Sequence, residues 1–292
     1  MVIGLVPNEQ KPGAISVAND VLTWLEERDV AVLLPKQTAM RINRPQLAAR
    51  DDELAQNCDL IAVLGGDGTL LNLVRRWPFW GVPVLGINLG NLGFLTEIEL
   101  PDLYPGLERV LAGDYFVQER MMLRAQVYRQ RRVVNELYAL NDVVVTKGAY
   151  SRMLRLELFI EEEFVDLLPA DGVVVATPTG STAYSLSAGG PIVDPNINAL
   201  VVTPICAHSL HSRPMVVAPE YRLTIKVNAQ HDDIVLTMDG QEVFRLLPND
   251  QVQVERASTV SRLVKFPPRS FYEVLRRKFS GRSPMHSWLE GE

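Results

Sequence analysis

The stretch Leu60-Ile61-Ala62-Val63-Leu64-Gly65-Gly66-Asp67-Gly68-Thr69-Leu70-Leu71 joins an apolar run of strand length to three glycines that surround one carboxylate. After the glycines, apolar residues recur at helical spacing. The pattern predicts a strand, a tight turn and a helix. Because glycine has no Cβ and can adopt positive φ, we expect the turn to bring backbone N–H groups at the helix start close to phosphate oxygens.

Asp67 puts a negative charge into this glycine turn. That charge repels phosphate unless a divalent cation intervenes or the carboxylate is there to take a proton. The turn therefore favours phosphoryl transfer over simple phosphate binding. The alternative is a glycine-rich strand-to-helix turn in which Asp67 only caps the helix, and the motif alone leaves both interpretations open.

The composition is typical of a folded protein of about two domains. The chain has 292 residues, of which 47% are hydrophobic and 22% are charged. Its net charge of −6 argues against a nucleic-acid or acidic-membrane surface and favours small ligands. Residues 1–6 lack a basic region and a cleavage site, and no apolar run approaches the ~18 residues that span a bilayer. We therefore expect neither secretion by that route nor insertion into a membrane.

The cysteines indicate a reducing compartment. Cys58 and Cys206 are too few for a disulfide framework, and their separation fits no metal-binding cluster. We expect a cytoplasmic protein.

The first hundred residues alternate between strand and helix patterns. Strands are predicted at residues 2–6, 30–34, 59–64 and 82–87, and helices at 14–25, at 45–56 with Pro45 in the first position, and from about residue 69. This alternation predicts a doubly wound, mostly parallel α/β sheet, whose ligands bind at the carboxyl ends of the strands. The glycine turn lies at such an end.

Short alternating strands follow a predicted helix at residues 102–111, which Gly113 ends. They predict a β-rich second domain, sandwich-like or irregular. Candidate strands are residues 122–128, 140–146, 153–160, 172–176, 222–227, 234–238 and 252–255. We divide the chain into residues 1–100, 101–266 and a tail of 267–292, which is expected to form a helix docked on the body with a frayed end after Gly281.

A second stretch, residues 171–190, runs from a strand into a loop of small and hydroxyl-bearing residues. Small side chains admit a flat ligand close to the backbone. The hydroxyls of Thr182 and Ser187 can donate hydrogen bonds, and Tyr184 can stack on a ring. The alternative is a Ser/Thr-capped helix start with a buried aromatic side chain.

Four motifs together resemble those of bacterial NAD kinases. They are Gly65-Gly66-Asp67-Gly68-Thr69, Asn91-Leu92-Gly93-Phe94-Leu95-Thr96, Asn141-Asp142 and Thr177-Pro178-Thr179-Gly180-Ser181-Thr182-Ala183-Tyr184. The resemblance covers about residues 59–242. The first motif is shared with diacylglycerol, sphingosine and phosphofructo-kinases, whereas the last is specific to NAD kinases. No G-x-G-x-x-G or G-x-x-x-x-G-K-[ST] loop occurs.

This resemblance implies an α/β amino-terminal domain, a β-rich carboxy-terminal domain and an active site in the cleft between them. It implies transfer of the γ-phosphoryl group of ATP to the adenosine ribose 2′-hydroxyl of NAD, with Asp67 as proton acceptor. Mg²⁺ or another divalent cation is expected to arrive with ATP, not on a metal site of the chain. Homodimers or homotetramers are expected, without nucleic-acid or membrane partners.

The resemblance also implies individual site residues. Phosphate-binding residues are expected at Gly65, Gly66, Gly68 and Thr69. Residues expected to bind the dinucleotide are Gly68, Asn141, Asp142, Arg152, Asp171, Thr182, Ala183, Tyr184, Ser185, Leu186, Ser187 and Gln241. Asp171 is similar to a family carboxylate on the nicotinamide side, and residues 182–187 are expected to line the adenosine pocket.

Several of these positions have structural alternatives. Asp142 stands where the family has Glu, one methylene longer, and Pro169 stands where members often carry a basic residue. Asn141-Asp142 can be a turn, Arg152 a solvated strand residue and Gln241 a hairpin residue. We interpret His208 and His211 as structural, because no carboxylate cluster accompanies them.

Two other functions compete with the NAD kinase. A lipid kinase needs an apolar groove or a basic interfacial helix, which only the segment around residues 276–279 offers. A dinucleotide sensor without catalysis has no need of Asp67.

Overall fold

Strands and helices alternate through the first part of the chain, as predicted. A computed structural model describes residues 1–90, 93–148, 153–209, 211–229 and 233–279. The elements of this part are β1 (Val2–Pro7), α1 (Ala14–Glu26), β2 (Ala31–Pro35), α2 (Lys36–Arg41), β3 (Ala48–Ala49), α3 (Asp51–Asn57), β4 (Leu60–Gly65), α4 (Asp67–Arg76), β5 (Val84–Asn88), β6 (Ile98–Glu99) and α5 (Leu103–Leu111).

The predicted helix at residues 45–56 is wrong in its first half. Pro45–Leu47 forms a 3-10 turn, β3 follows, and only α3 is helical. Ala48 pairs with Leu34 of β2, so a strand at the sheet edge replaces the first turns of the helix. The sequence also did not reveal α2, because six residues are too short to show a helical period.

The parallel strands lie in the order β3-β2-β1-β4-β5. In this order β1 and β4 are neighbours, with Ile3 opposite Leu60 and Pro7 opposite Leu64. The chain winds outward in opposite directions from this pair, so their carboxyl ends form the crevice in which doubly wound folds bind ligands.

Helices cover both faces of this sheet, because alternate residues of each buried strand point to opposite sides. On one face Leu60 and Leu64 of β4 pack with Leu22 of α1 and Leu107 of α5. On the other face Ile61 and Val63 of β4 belong to a core with α3 and α4. The prediction of a doubly wound α/β domain is confirmed.

The second part of the chain is a β-sandwich. Its elements are β7 (Phe116–Arg129), β8 (Arg132–Ala139), β9 (Asp142–Lys147), β10 (Leu154–Ile160), β11 (Glu163–Ala170), β12 (Gly172–Ala176), α6 (Tyr184–Ser187), β13 (Leu200–Ile205), β14 (Met215–Val217), β15 (Leu223–Asn228), β16 (Ile234–Met238), β17 (Glu242–Leu246), β18 (Gln251–Lys265) and α7 (Phe271–Phe279). One apolar core joins residues from both of its sheets, such as Val143 and Ile225.

One sheet continues through both parts of the chain. β18 pairs with β15 and β7 of the sandwich and also, at Leu263 and Val84, with β5 of the parallel sheet. The second sheet has the order β14-β13-β12-β9-β16-β17. The predicted division at residues 100 and 266 stays a prediction.

Several strands are absent from the sequence-based expectation for identifiable reasons. β11 and β13 contain Pro169 and Pro204, and a proline argues against a strand. β8 and β17 lie mostly exposed and show no clear alternation. β18 runs for 15 residues, where only residues 252–255 were expected.

The helix α7 packs on the body of the protein. Its Val274 is buried, the Phe271 ring lies 6.2 Å from the Phe94 ring, and the Tyr272 hydroxyl donates a hydrogen bond of 2.8 Å to Asp194. The predicted frayed end after Gly281 lies outside the described residues. Among the helices of the described segments, none is long and apolar enough to cross a membrane.

Candidate active site

The glycine turn lies at the carboxyl end of β4, where β4 runs into α4. None of its glycines adopts positive φ, and Gly66 is fully extended at φ −178°. The expectation of positive φ in this turn is therefore wrong. Close approach explains Gly65 instead, because a Cβ there would lie 2.2 Å from the Thr69 Oγ1.

The Asp67 carboxylate is turned toward the segment that follows Leu92. Its Oδ2 accepts the Phe94 N–H at 2.7 Å, and its Oδ1 accepts the N–H groups of Leu95 at 3.2 Å and Thr96 at 3.1 Å, with the Thr96 hydroxyl at 3.3 Å. Gly93 permits this approach, since a Cβ there would lie 1.9 Å from Oδ1. These contacts give the carboxylate a defined orientation that helix capping does not explain.

The two carboxylate oxygens are used unequally. Each can accept about two hydrogen bonds. Within the described residues, Oδ1 accepts three and Oδ2 accepts one. Oδ2 therefore keeps an acceptor position for a further hydroxyl group.

A cavity of about 900 Å³ opens beside the turn, at the crevice between β1 and β4. Gly66, Gly68 and Thr69 line it together with the loop after β1. That loop carries Lys11, whose Nζ donates a hydrogen bond of 2.7 Å to the Gly65 carbonyl. Sequence reasoning missed Lys11, because only the strand order brings the loop after β1 beside β4.

Asn141 and Asp142 lie at the start of β9, where Asp239 holds their backbone. The Asp239 carboxylate accepts the N–H groups of Leu140, Asn141 and Asp142 at 3.1, 2.8 and 3.1 Å. Asp239 was not singled out from the sequence. It precedes Gly240, and both residues have positive φ, which is the conformation of a tight hairpin turn between β16 and β17.

The Asp142 side chain is only 3% exposed. Burial, reinforced by the negative charge of Asp239 and opposed by a hydrogen bond from the Tyr184 backbone, raises the pKa of Asp142 to about 7. Burial also raises the pKa of Asp239, although its three backbone hydrogen bonds act in the opposite direction. The two carboxyl groups disfavour each other's ionisation.

The loop at residues 177–187 packs directly on Asn141. A Cβ at Gly180 would lie 2.0 Å from the Asn141 carbonyl oxygen, and the Thr177 hydroxyl donates a hydrogen bond of 2.6 Å to the Leu140 carbonyl. From the sandwich side, the buried Arg120 donates a hydrogen bond of 3.2 Å to the Thr179 hydroxyl. These contacts bring two of the sequence motifs into one site.

The side chains of this loop differ in their exposure to solvent. Tyr184 is 45% exposed, so the alternative of a buried aromatic side chain is wrong. Ser187 is exposed, and Thr182, Ala183 and Leu186 are half-buried. Ser185 is fully buried and hydrogen-bonds the Thr203 hydroxyl at 2.9 Å, so its side chain supports the loop from behind.

Gln241 connects the hairpin to the glycine turn. Its Nε2 donates a hydrogen bond of 2.8 Å to the Gly68 carbonyl, and its Oε1 accepts one of 3.4 Å from Arg75 of α4. Gln241 thus follows the hairpin turn and also lies at the candidate site.

The remaining candidates are Asp171, whose negative charge acts on Tyr184, and residues outside the described part of the chain. Asp171 forms an ion pair of 2.9 Å with Lys147 of the neighbouring strand β9. Arg152, Asn91 and Leu92 lie outside the described residues. The backbone of His208 donates a hydrogen bond to the Pro169 carbonyl. Across the described segments, no group of three or more His, Cys, Asp and Glu side chains is placed to hold a metal ion.

Comparison with known proteins assigns both parts of the chain to one protein family. Residues 3–115 match the family model of the ATP-NAD kinase N-terminal domain, and residues 140–266 match that of the ATP-NAD kinase C-terminal domain. The chain belongs to the ATP-NAD kinase family. It is an NAD kinase by family, which removes the lipid-kinase alternative.

Curated relatives extend over nearly the whole chain. The NAD kinase of Symbiobacterium thermophilum is 50% identical over 277 residues, which cover 95% of this chain and 98% of the relative. That of Moorella thermoacetica is 48% identical over 276 residues, which cover 94% and 88%. These likenesses agree with the resemblance expected from the four motifs.

Solved structures of NAD kinases share the fold. Yeast NADH kinase complexed with NADH superposes with a TM-score of 0.88 at 27% identity, over 97% of this chain and 89% of that one. An NAD kinase from Archaeoglobus fulgidus in complex with ATP superposes with a TM-score of 0.75 at 24% identity, over 95% and 98%. The expected pair of an α/β domain and a β-rich domain is confirmed.

Proposed function

We propose that this NAD kinase transfers the γ-phosphoryl group of ATP to the adenosine ribose 2′-hydroxyl of NAD, with Asp67 as proton acceptor. One observation carries the role of Asp67: its carboxylate is held by backbone N–H groups beside the glycine turn, and Oδ2 keeps an open acceptor position. In the proposed step the 2′-oxygen bonds to the γ-phosphorus, the bond from that phosphorus to the β–γ bridging oxygen breaks, and the hydroxyl proton passes to Asp67. ADP and NADP are the products.

The described residues suit a divalent cation that enters with the donor. In the described segments no group of three or more His, Cys, Asp and Glu side chains, at Asp67 or elsewhere, is placed to hold a metal ion. We therefore assign Mg²⁺, or another divalent cation, to the phosphates of ATP. Bound there, it neutralises phosphate charge and lowers the repulsion from Asp67.

We assign the dinucleotide to the surface between the Asn141 loop and residues 177–187. The exposed Tyr184 ring beside Asn141 and Asp142 supports an aromatic contact with the adenosine. Yeast NADH kinase, whose structure contains NADH, has the same fold, which supports a dinucleotide site in this family. We keep Thr182, Ala183, Ser185, Leu186 and Ser187 in the adenosine pocket, Asp171 on the nicotinamide side and Gln241 near the substrate. Arg152 is kept as a weaker contact with the dinucleotide.

We also propose a cytoplasmic homodimer or homotetramer. Cys58 and Cys206 are both free thiols, and Cys206 is exposed, which suits a reducing compartment.

A direct assay tests this function. Purified protein is incubated with NAD, ATP and Mg²⁺, and NADP is measured by an NADP-specific coupled reaction. We expect NADP only when both substrates are present. Calorimetric binding of NAD without any NADP formation would instead identify a dinucleotide sensor. The requirement for a divalent cation is tested by omitting Mg²⁺ and then adding Mn²⁺ in its place.

A further inference from the structure

In the part of the chain that the structure describes, the cavity beside the glycine turn contains one cation, Lys11, whose charge no carboxylate balances. Of the charged side chains that line it, Arg41 is paired with Glu9 at 3.2 Å and Arg76 with Asp51 at 3.3 Å. Within the described residues Lys11 has no carboxylate at salt-bridge distance, and its Nζ contacts only the neutral Gly65 carbonyl at 2.7 Å. Because of Lys11, the lining of the cavity carries a net positive charge.

The Lys11 ammonium keeps capacity for a ligand. An ammonium group has three N–H donors. One is used by Gly65 in the described part of the chain, so two can point into the cavity. The ammonium lies 3.6 Å from the position of a Cβ at Gly66, which places it directly at the turn.

The loop that carries Lys11 is held in position by its neighbour Asn8. The Asn8 N–H donates to the Leu64 carbonyl at 2.8 Å, and its side-chain amide donates to the Thr69 hydroxyl at 3.0 Å. The Lys11 N–H in turn donates to the Asn8 carbonyl at 2.9 Å. These bonds tie the loop to β4 and α4, so Lys11 starts from a fixed backbone.

We propose that the Lys11 ammonium binds the terminal phosphates of the phosphoryl donor. This assignment rests on the proposed function, because Asp67 requires the transferred phosphoryl group beside the same turn. At the end of the cavity nearest Asp67, an entering triphosphate meets the unbalanced positive charge of Lys11. A lysine acts there as a point charge that holds phosphate without demanding one fixed geometry.

Replacement of Lys11 by methionine tests the assignment. Lys11→Met keeps the length of the side chain and removes its charge. We expect the KM for ATP and the calorimetric Kd for ATP, measured without NAD, to rise about 10- to 100-fold, which is the range for loss of a charged hydrogen bond. The KM for NAD should rise much less than the KM for ATP, because Asn141, Asp142 and Tyr184 lie outside this cavity, although Gly68 and Gln241 line it.

Lys36→Met is the matched control. Lys36 is an exposed lysine at the start of α2, between Pro35 and Gln37, which both line the cavity. Its loss removes the same charge from nearly the same region without removing the contact at the turn. We expect less than about a threefold change in the Kd for ATP.

Unchanged ATP affinity in Lys11→Met would overturn the assignment, and so would an equal loss in Lys36→Met. If Lys11→Met does not fold, Lys11→Gln serves in its place with the same expected result. Failure of the proposed function is a separate outcome: the unaltered chain would then form no NADP, whether or not it binds ATP.

Discussion

At the scale of single residues, the Asp67 carboxylate is held by groups almost thirty positions away in the chain. Phe94, Leu95 and Thr96 supply the hydrogen bonds that orient it. The Asp142 carboxyl lies in a different environment, buried beside the carboxylate of Asp239. The same chemical group is thus oriented by hydrogen-bond donors at one position, whereas at the other its pKa is raised by burial and a neighbouring charge.

Asp67→Asn tests the proton acceptor. The amide has nearly the same size, but it cannot take a proton from the ribose hydroxyl, and its NH₂ group cannot accept the Phe94 N–H. We expect turnover to fall at least about 10²-fold while NAD and ATP still bind. NADP formation and calorimetric NAD affinity measure the two effects separately. A fully active Asp67→Asn enzyme contradicts the proposed mechanism.

Asp142 predicts a pH dependence of stability. Its pKa is about 7 in the folded protein, above the ordinary value of 3.8, so the folded state binds the proton more tightly than the unfolded state. Stability from this group is complete below about pH 4 and is lost as the pH rises to about 7. Asp142→Asn cannot ionise, and we expect its melting temperature at pH 8 to exceed that of the parent by at least about 2 °C.

The comparison is made across pH 5 to 8, where the difference between the two melting temperatures should narrow toward the acid end. Curves that stay parallel over this range would show that Asp142 does not titrate there.

At the scale of elements, two short segments hold groups of neighbouring segments in position. They are the segment from Gly93 to Thr96 and the hairpin turn at Asp239. The segment carries the donors for Asp67, and its Phe94 ring also contacts α7. The hairpin reaches both sides of the cleft, since Asp239 holds the Asn141 backbone and Gln241 holds the Gly68 carbonyl. Both elements hold groups of the candidate site that they do not themselves contain.

Gly93→Ala tests the segment. The added Cβ would lie 1.9 Å from the Asp67 Oδ1, so either the carboxylate or the segment has to move. Because small displacements of a catalytic group cost much of its effect, we expect kcat to fall at least about tenfold with little change in the KM for NAD. Circular dichroism controls for folding. Unchanged kcat would mean that the orientation of Asp67 is not critical.

At the scale of the whole molecule, a buried ion pair joins the two parts of the chain. Lys265 of β18 contacts Glu97 at 2.9 Å, and the Glu97 carboxylate also accepts the Phe266 N–H at 3.0 Å. Burial lowers the pKa of Lys265, and Glu97 opposes that change. The pair fixes the end of the sandwich strand beside the segment that orients Asp67.

Glu97→Gln should leave the Lys265 ammonium buried without a counter-charge. We expect the free energy of unfolding, measured by urea denaturation, to fall by about 3–5 kcal/mol. Glu26→Gln is the control, because Glu26 pairs with Arg44 at the surface, where loss of a pair costs at most about 1 kcal/mol. Equal effects in the two variants would contradict a special role for the buried pair.

The sequence by itself determined the alternation of strands and helices in the first part, the β-rich second part and the motifs of the site. Hydrophobic periodicity and glycine placement are local properties, so Leu60 to Gly65 predicted both its strand and the turn after it. The tertiary structure alone decided that β1 lies beside β4, that β18 joins the two parts, and that Asp67 faces Phe94 to Thr96. Lys11 and Asp239 became visible only then, because their roles depend on contacts between segments far apart in the chain, which no local pattern encodes.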